Sequence, residues 1–404
     1  MKYYFTLLVS LFLLSPVIVR ADADVEALKA RINALENELK DVKAVLDQQA
    51  QKSASKEDVT NLKHEIAETR ESQNEWKVYD SRVHLAGYAA ANYDTEDDQF
   101  NRVQFSPIFH YQYKDLVLLE SELEFNVGAE DAPDLELEYA TIDLLLNDYV
   151  TLVVGKLTTP LGQFRPNLHP DWINKMPSAP VGFGHDGAAP VSDTGVEVRG
   201  GFPLSLGQGM YVNYAAYVGN GPKLELTESG DEIDAIAAEG FTSDEDGNKI
   251  FGGHIGLLPV PNVEIGLSAA GGDVALVLPN EPDRSYRIYG ADFATHWHNF
   301  SFRAEWIRQS MGGEAASAVP DKFVLDAWYT QLAYRILSTD FEAILRYGEF
   351  DSPHPDQAQD QLALGLDYWF NSHTVAKLAY EFNDGATGEA VNDDRLILQL
   401  GYGF

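Results

Sequence analysis

The last ten residues, Arg395-Leu396-Ile397-Leu398-Gln399-Leu400-Gly401-Tyr402-Gly403-Phe404, set the strongest constraint on the fold. Leu396, Leu398, Leu400, Tyr402 and Phe404 share one parity, and Arg395, Ile397, Gln399, Gly401 and Gly403 the other. On a strand, successive side chains point to opposite faces, so this segment has one apolar face ending in two aromatics. A helix would scatter the same residues around its axis.

The pattern recurs along the chain. Alternating segments lie at roughly 82–93, 102–112, 115–127, 134–145, 148–157, 193–202, 209–218, 249–258, 262–271, 285–297, 300–309, 323–336, 339–349, 359–369, 373–383 and 394–404, sixteen in all. Short connections (Tyr113-Lys114, Asn147, Val260-Pro261, His298-Asn299, Ser338, Asn371-Ser372, and the slightly longer 203–208) alternate with long ones rich in Gly, Asp, Pro and Ser. An even strand number with alternating short and long connections predicts an all-β fold, a 16-stranded antiparallel transmembrane barrel over 79–404. Sixteen strands leave room for an aqueous channel.

Composition fits that reading. Phe, Tyr and Trp make up 11% of the chain, enough for aromatic girdles at two interfaces, and there is no Cys. The formal net charge of -34 excludes nucleic acid as a partner, because phosphates would be repelled.

The N-terminus resembles a secretory signal. Met1-Lys2-Tyr3-Tyr4 precedes a mostly apolar stretch from Phe5 to Val19, with Val19-Arg20-Ala21 at the cleavage position. Residues 1–21 are therefore expected to be a signal peptide. From Asp24 to Asn74 there is no Gly, Pro, Trp, Tyr or Phe. Val25, Leu28, Ile32, Leu35, Leu39, Val42 and Leu46 alternate spacings of three and four, a heptad seam. A shorter seam follows at Val59, Leu62 and Ile66, out of register with the first. Residues 22–74 are expected to be an α-helical coiled coil, with three copies as the natural assembly.

Parity assigns the barrel's faces. Val117, Leu119, Leu123, Phe125 and Val127 would face lipid, leaving Glu120, Glu122 and Glu124 on the lumen. Glu136, Glu138, Lys156, Arg199, Arg303, Arg335 and Arg346 join them as candidate pore-lining residues, with Glu305, Glu342, Lys377, Glu381 and Arg395 on the same wall. Charged groups on the lipid side would cost roughly 2–3 kcal/mol each near the bilayer centre. The carboxylate ladder predicts a weak preference for cations.

One connection stands out. After Gly155-Lys156-Leu157-Thr158-Thr159-Pro160-Leu161-Gly162, a long segment runs to about Ser192 and carries Arg165, His169, Trp172, Lys175, Phe183 and His185. Loops this long are usually functional or disordered, and its aromatics argue against disorder. Here the chain resembles trimeric sixteen-stranded porins of bacterial outer membranes, and in the Gly155-Lys156 strand end with Pro160-Leu161-Gly162 it resembles the phosphate-selective porin O and P family. The terminal Phe404 is likewise similar to the closing residue of outer-membrane barrels. The resemblance implies an outer-membrane location among lipids and lipopolysaccharide, a homotrimer, a third loop that narrows the barrel with Arg165 and Lys175 at the pore, and passive diffusion of small hydrophilic solutes. That family's Lys ring has no counterpart in the third loop, so phosphate selectivity is not carried over. An anion-selective channel (phosphate or dicarboxylate) and a structural tether from the outer membrane to the cell wall are the alternatives.

Enzyme motifs are lacking: the sequence has no HExxH, GxSxG or phosphate-cradling Gly loop, so no enzyme and no cofactor is expected. The His296–His298 pair shares a strand face but has no visible third ligand, and no metal is expected. The connection from Asn220 to Asn248 carries Glu228, Asp231, Glu232, Asp234, Asp244, Glu245 and Asp246 and reads as a solvated acidic loop; within it Asp244-Glu245-Asp246-Gly247-Asn248 resembles part of a calcium loop without its distal Glu.

Overall fold

The computed structural model describes residues 29–31, 33–37, 39–43, 81–96, 98–128, 133–185, 187–204, 209–227, 229–237, 244, 246–354, 357–385 and 393–404. The chain divides into two units, Met1–Tyr79 and Asp80–Phe404.

In the first unit the described residues are helical, and Leu35, Leu39 and Val42 lie 57–59% exposed along one stripe. The signal peptide, the second seam and the remaining seam residues, Val25, Leu28, Ile32 and Leu46, fall outside the described residues.

The second unit is a closed antiparallel barrel of sixteen strands. In chain order these are β1 Ser81–Asp94, β2 Gln99–Tyr113, β3 Val117–Gly128, β4 Asp134–Asn147, β5 Val150–Thr158, β6 Ser192–Pro203, β7 Tyr211–Gly219, β10 Ile250–Val260, β11 Val263–Val274, β12 Arg284–Trp297, β13 Phe300–Met311, β14 Phe323–Arg335, β15 Phe341–Asp351, β16 Gln359–Trp369, β17 Thr374–Gly385 and β18 Arg395–Gly403. Each pairs with its neighbour, β7 pairs with β10, and β18 closes on β1. Closure leaves no strand edge, as a backbone surrounded by hydrocarbon requires. At the seam Phe404 N–H donates to Gly87 O at 2.9 Å and Gly87 N–H donates to Phe404 O at 3.0 Å. Gly87 sits at φ +152°, and a Cβ there would lie 2.4 Å from Ser106 O and 2.7 Å from the Phe404 ring. The last residue and a glycine thus form the closing joint together.

All sixteen expected strands are present, with ends shifted by up to three residues. The tight turns use left-handed residues at Lys114, His298 and Ser338, with φ of 54°, 55° and 60°. A hairpin went unforeseen. Strands β8 Lys223–Leu226 and β9 Ile233–Ala237 pair inside the acidic connection and bury Leu224, Ile233 and Ile236. That segment is therefore partly folded rather than a solvated loop throughout.

Burial follows parity. On β18 Leu398, Leu400 and Tyr402 are exposed, whereas Ile397 and Gln399 are buried. On the rim that carries the short turns, rings pair as Phe300–Tyr334 at 4.5 Å, Phe341–Tyr368 at 4.9 Å and Tyr402–Phe404 at 6.0 Å. That is the arrangement of an interfacial aromatic girdle. Among the described residues no helix is long and apolar enough to cross a membrane.

Candidate pore and third loop

The connection between β5 and β6 packs against the inward face of the opposite wall. Its first anchor is Glu305 on β13. Gln163 N–H donates to Glu305 Oε1 at 2.9 Å and Phe164 N–H donates to Oε2 at 3.0 Å, while Gly162 N–H donates to Ser268 Oγ at 2.9 Å. The wall carboxylate thus accepts the free N–H groups that open a turn of π-helix, Phe164–Leu168. Gly162 is required here: its φ is +75°, and a Cβ would sit 1.9 Å from Glu305 Oε1.

Further along, the loop's own Lys175 and two cations of the wall fasten it. Lys175 Nζ lies 2.6 Å from Glu342 Oε1 on β15. Lys377, buried on β17, donates to the carbonyls of Asp171, Asn174 (2.5 Å) and Met176 (3.4 Å). Arg346, 1% exposed on β15, donates to Ser178 O at 2.9 Å, Ser178 Oγ at 2.8 Å and Ala179 O at 3.2 Å, and lies 3.7 Å from Glu381. Unpaired carbonyls of irregular backbone are costly to bury, and these donors satisfy them. Apolar contacts complete the seat. Met176 enters a cluster of Ala333, Ile344, Ala363 and Ala379, whose small wall side chains leave it space. Phe183 meets Tyr329 edge-on at 5.1 Å.

The opposite side of the barrel stays open. A cavity of about 840 Å³ lies between the loop's Gln163–Leu168 stretch and strands β3 to β13, with Glu120, Glu197, Arg199, Glu264 and Arg303 on its wall. Arg199 reaches Asp143 at 2.5 Å, Glu120 at 3.7 Å and Glu197 at 3.8 Å. A second opening of about 350 Å³ is lined by Arg102, Asp94, Arg395 and the loop's Pro177 and Ser178.

The structure separates the expected pore residues. Glu120, Arg199 and Arg303 line the larger cavity. Arg346 on the wall and Lys175 on the loop fasten the two together, and Arg165, also on the loop, is buried. Glu122, Glu124 and Glu138 are inward but at most 5% exposed, and Arg335 sits near the short-turn rim beside Asp340 at 3.5 Å and over the Trp369 ring. Lys156 departs from the expectation: it shares the parity of the exposed Val154 and pairs with Thr194, whose exposed neighbours are Val196 and Val198, so it lies on the outward face. Glu136 and Glu138 stand with His185 of the loop, one ligand atom of each within 4.8 Å of the others. Arg102, Asp171 and Ser178 were not singled out from sequence. Parity with Gln104 would have found Arg102; the two loop residues carry no such signal.

No family model and no curated protein matches the sequence. Solved structures do share the fold. An anion-selective porin from Comamonas acidovorans superposes with a TM-score of 0.52 at 12% identity, covering 80% of this chain and 100% of that one. Salmonella typhi OmpF, in complex with daunomycin, gives 0.52 at 12% identity, covering 80% and 98%. The outer membrane channel DcaP of Acinetobacter baumannii gives 0.51 at 14% identity, covering 81% and 98%. This chain therefore has a porin-like barrel.

Proposed function

We propose that the protein is an outer-membrane porin, assembled as a trimer, through which small hydrophilic solutes diffuse past a constriction set by the loop over 158–192. The observation that carries this reading is the seat of the loop. Arg346, Lys377, Lys175 and Glu305 fasten it to the inward face of a barrel whose outward face is apolar. A fixed loop beside an open, charged cavity sieves by size and biases by charge. Likeness to solved porins supports the barrel and its outer-membrane setting. Deleting 167–184 should raise single-channel conductance in planar bilayers several-fold; a correctly folded deletion of unchanged conductance rejects the constriction.

A second reading concerns charge, and exposure favours it. Carboxylate count alone predicts weak cation preference, but Glu122, Glu124, Glu138 and Glu197 are nearly covered, whereas the Arg199 and Arg102 side chains are 47% and 36% exposed. The groups that meet water at the openings are thus enriched in guanidinium, which supports anion passage. The reversal potential across a KCl gradient decides between the two.

The exposed Leu35, Leu39 and Val42 stripe supports a trimeric coil in the periplasm. Leu35→Asp with Leu39→Asp should abolish helix association in an isolated 22–74 segment while barrels remain trimeric. A wild-type segment that is monomeric in sedimentation analysis rejects the coil.

A further inference from the structure

We propose that Glu136, Glu138 and His185 form a site for a divalent transition-metal cation of the zinc class, bridging strand β4 to the third loop. One oxygen of each carboxylate and one imidazole nitrogen lie within 4.8 Å of one another. Glu138 supplies an independent observation. It is 3% exposed, and its Oε1 has no hydrogen-bond partner among the described residues. A buried carboxylate oxygen without a donor costs about 1–3 kcal/mol or more, and a cation removes that cost.

The backbone explains how Glu138 comes to point there. In the β3–β4 ladder Glu122 pairs with Tyr139 and Leu123 with Leu137, so Glu138 is an extra residue on β4. Such a bulge re-aims a side chain. Here it keeps Glu136 and Glu138 on the inward face and brings Tyr139 inward as well. Glu124, across from Glu136, is answered by Asn126 at 2.5 Å and Arg102 at 3.8 Å, so it is not needed as a ligand. His185 is exposed and gives the ion a way in.

The donor set indicates the class of ion. Magnesium and calcium take oxygen ligands, whereas an imidazole beside two carboxylates suits zinc and its neighbours. Three protein ligands leave a position for water. Ligand atoms at about 2.0–2.2 Å from zinc sit roughly 3–4 Å apart. The three side chains must therefore close by about an ångström, within reach of an exposed loop histidine. Occupation would tie the returning half of the loop to β4, across the lumen from Arg346 and Lys377; this consequence rests on the channel reading, the binding itself does not.

The test is calorimetric titration of the purified full-length protein with zinc chloride, for wild type and for His185→Ala, Glu138→Gln and, as a control on the short-turn pair, His296→Ala. The expected result is one equivalent bound, weakened about tenfold or more in the first two variants and unchanged in the third, with no displacement by equal calcium or magnesium. His185→Ala alters only an exposed loop side chain, so it keeps the test meaningful even if Glu138→Gln fails to fold. Wild-type affinity in a folded His185→Ala variant overturns the site, and so does displacement by calcium at equal concentration. Zinc binding that depends on His185 in a protein without bilayer conductance leaves the site standing and overturns the pore reading instead.

Discussion

The two sides of the lumen use the same kinds of residue for different ends. On the β13–β18 side Glu305, Glu342, Arg346, Lys377 and Glu381 are turned over to the third loop: they cap its π-turn, pair with Lys175 and bind its carbonyls. On the β3–β7 side Glu120 and Arg199 face a cavity of about 840 Å³. Inward parity brings a charge to the lumen; only the loop's position decides whether that charge becomes a fastening or part of a wet wall. The fastenings are the buried ones, and there the consequences of loss are greatest.

Breaking the fastened side should therefore have the largest effect. Arg346→Ala removes four hydrogen bonds and leaves Glu381 with its remaining partners Ser178 and Arg395. Glu381 keeps Arg395 as its counter-charge, so the cost falls on the Ser178 and Ala179 carbonyls, about 1–3 kcal/mol for each left buried without a donor. The expected outcome is a lower unfolding temperature in detergent together with larger and noisier single-channel conductance. A variant that unfolds earlier with wild-type conductance would mean that the fastenings stabilise the loop without setting the constriction.

Changing the open side should act on selectivity rather than stability. Arg199 is nearly half exposed, so its ion pairs with Glu120 and Glu197 are screened and contribute at most about 1 kcal/mol each, while the buried Asp143, which Arg199 reaches at 2.5 Å, keeps an amide donor when Gln replaces the guanidinium. Arg199→Gln should leave the unfolding temperature within a few degrees and move the reversal potential toward cations. Lys156→Gln, on the outward face, should move neither. A shift from Lys156→Gln equal to that from Arg199→Gln would mean the face assignment is wrong.

That last residue shows where sequence stops being legible. On β18 and β3 one parity is apolar and the other polar, so face and register follow directly. On β5, Lys156 apart, both parities of Leu152-Val153-Val154-Gly155-Lys156-Leu157 are apolar, because the inward Val153 and Leu157 are covered from within. Alternation then carries no information, and only the charge of Lys156 points it inward. The bulge at Glu138 is a second blind spot, since one extra residue in β4 exchanges faces for the rest of the strand and leaves no mark in composition. The hairpin Lys223–Leu226 with Ile233–Ala237 is a third: its few apolar residues sit among acids that dominate the segment. The strand count was legible because it depends on turn spacing. The loop's seat was not, because Met176 and Ser178 meet wall residues more than 150 positions away.

The smallest effect is expected from His169, which ties the loop to itself and not to the wall. Its Nδ1 donates to the Arg165 carbonyl at 2.5 Å, and its Nε2 is covered and has no partner among the described residues. Burial holds the imidazole below its ordinary value of about 6.5, with Glu138 and Asp171 pulling upward and the Arg165 charge pushing further down. A neutral histidine whose folded pKa is depressed contributes stability that is full above pH 6.5 and is lost as pH falls toward the folded value. Protonation would give Nε2 a proton with nowhere to donate it and set a cation beside Arg165. Acidification from pH 7 to pH 5 should therefore speed amide hydrogen exchange across 164–170 while strands β14 to β17 keep their protection. In His169→Phe, which fills the same space without titrating, that acceleration should vanish. If the variant's exchange still rises with acid as the wild type's does, the loop is responding to another group and His169 is only packing.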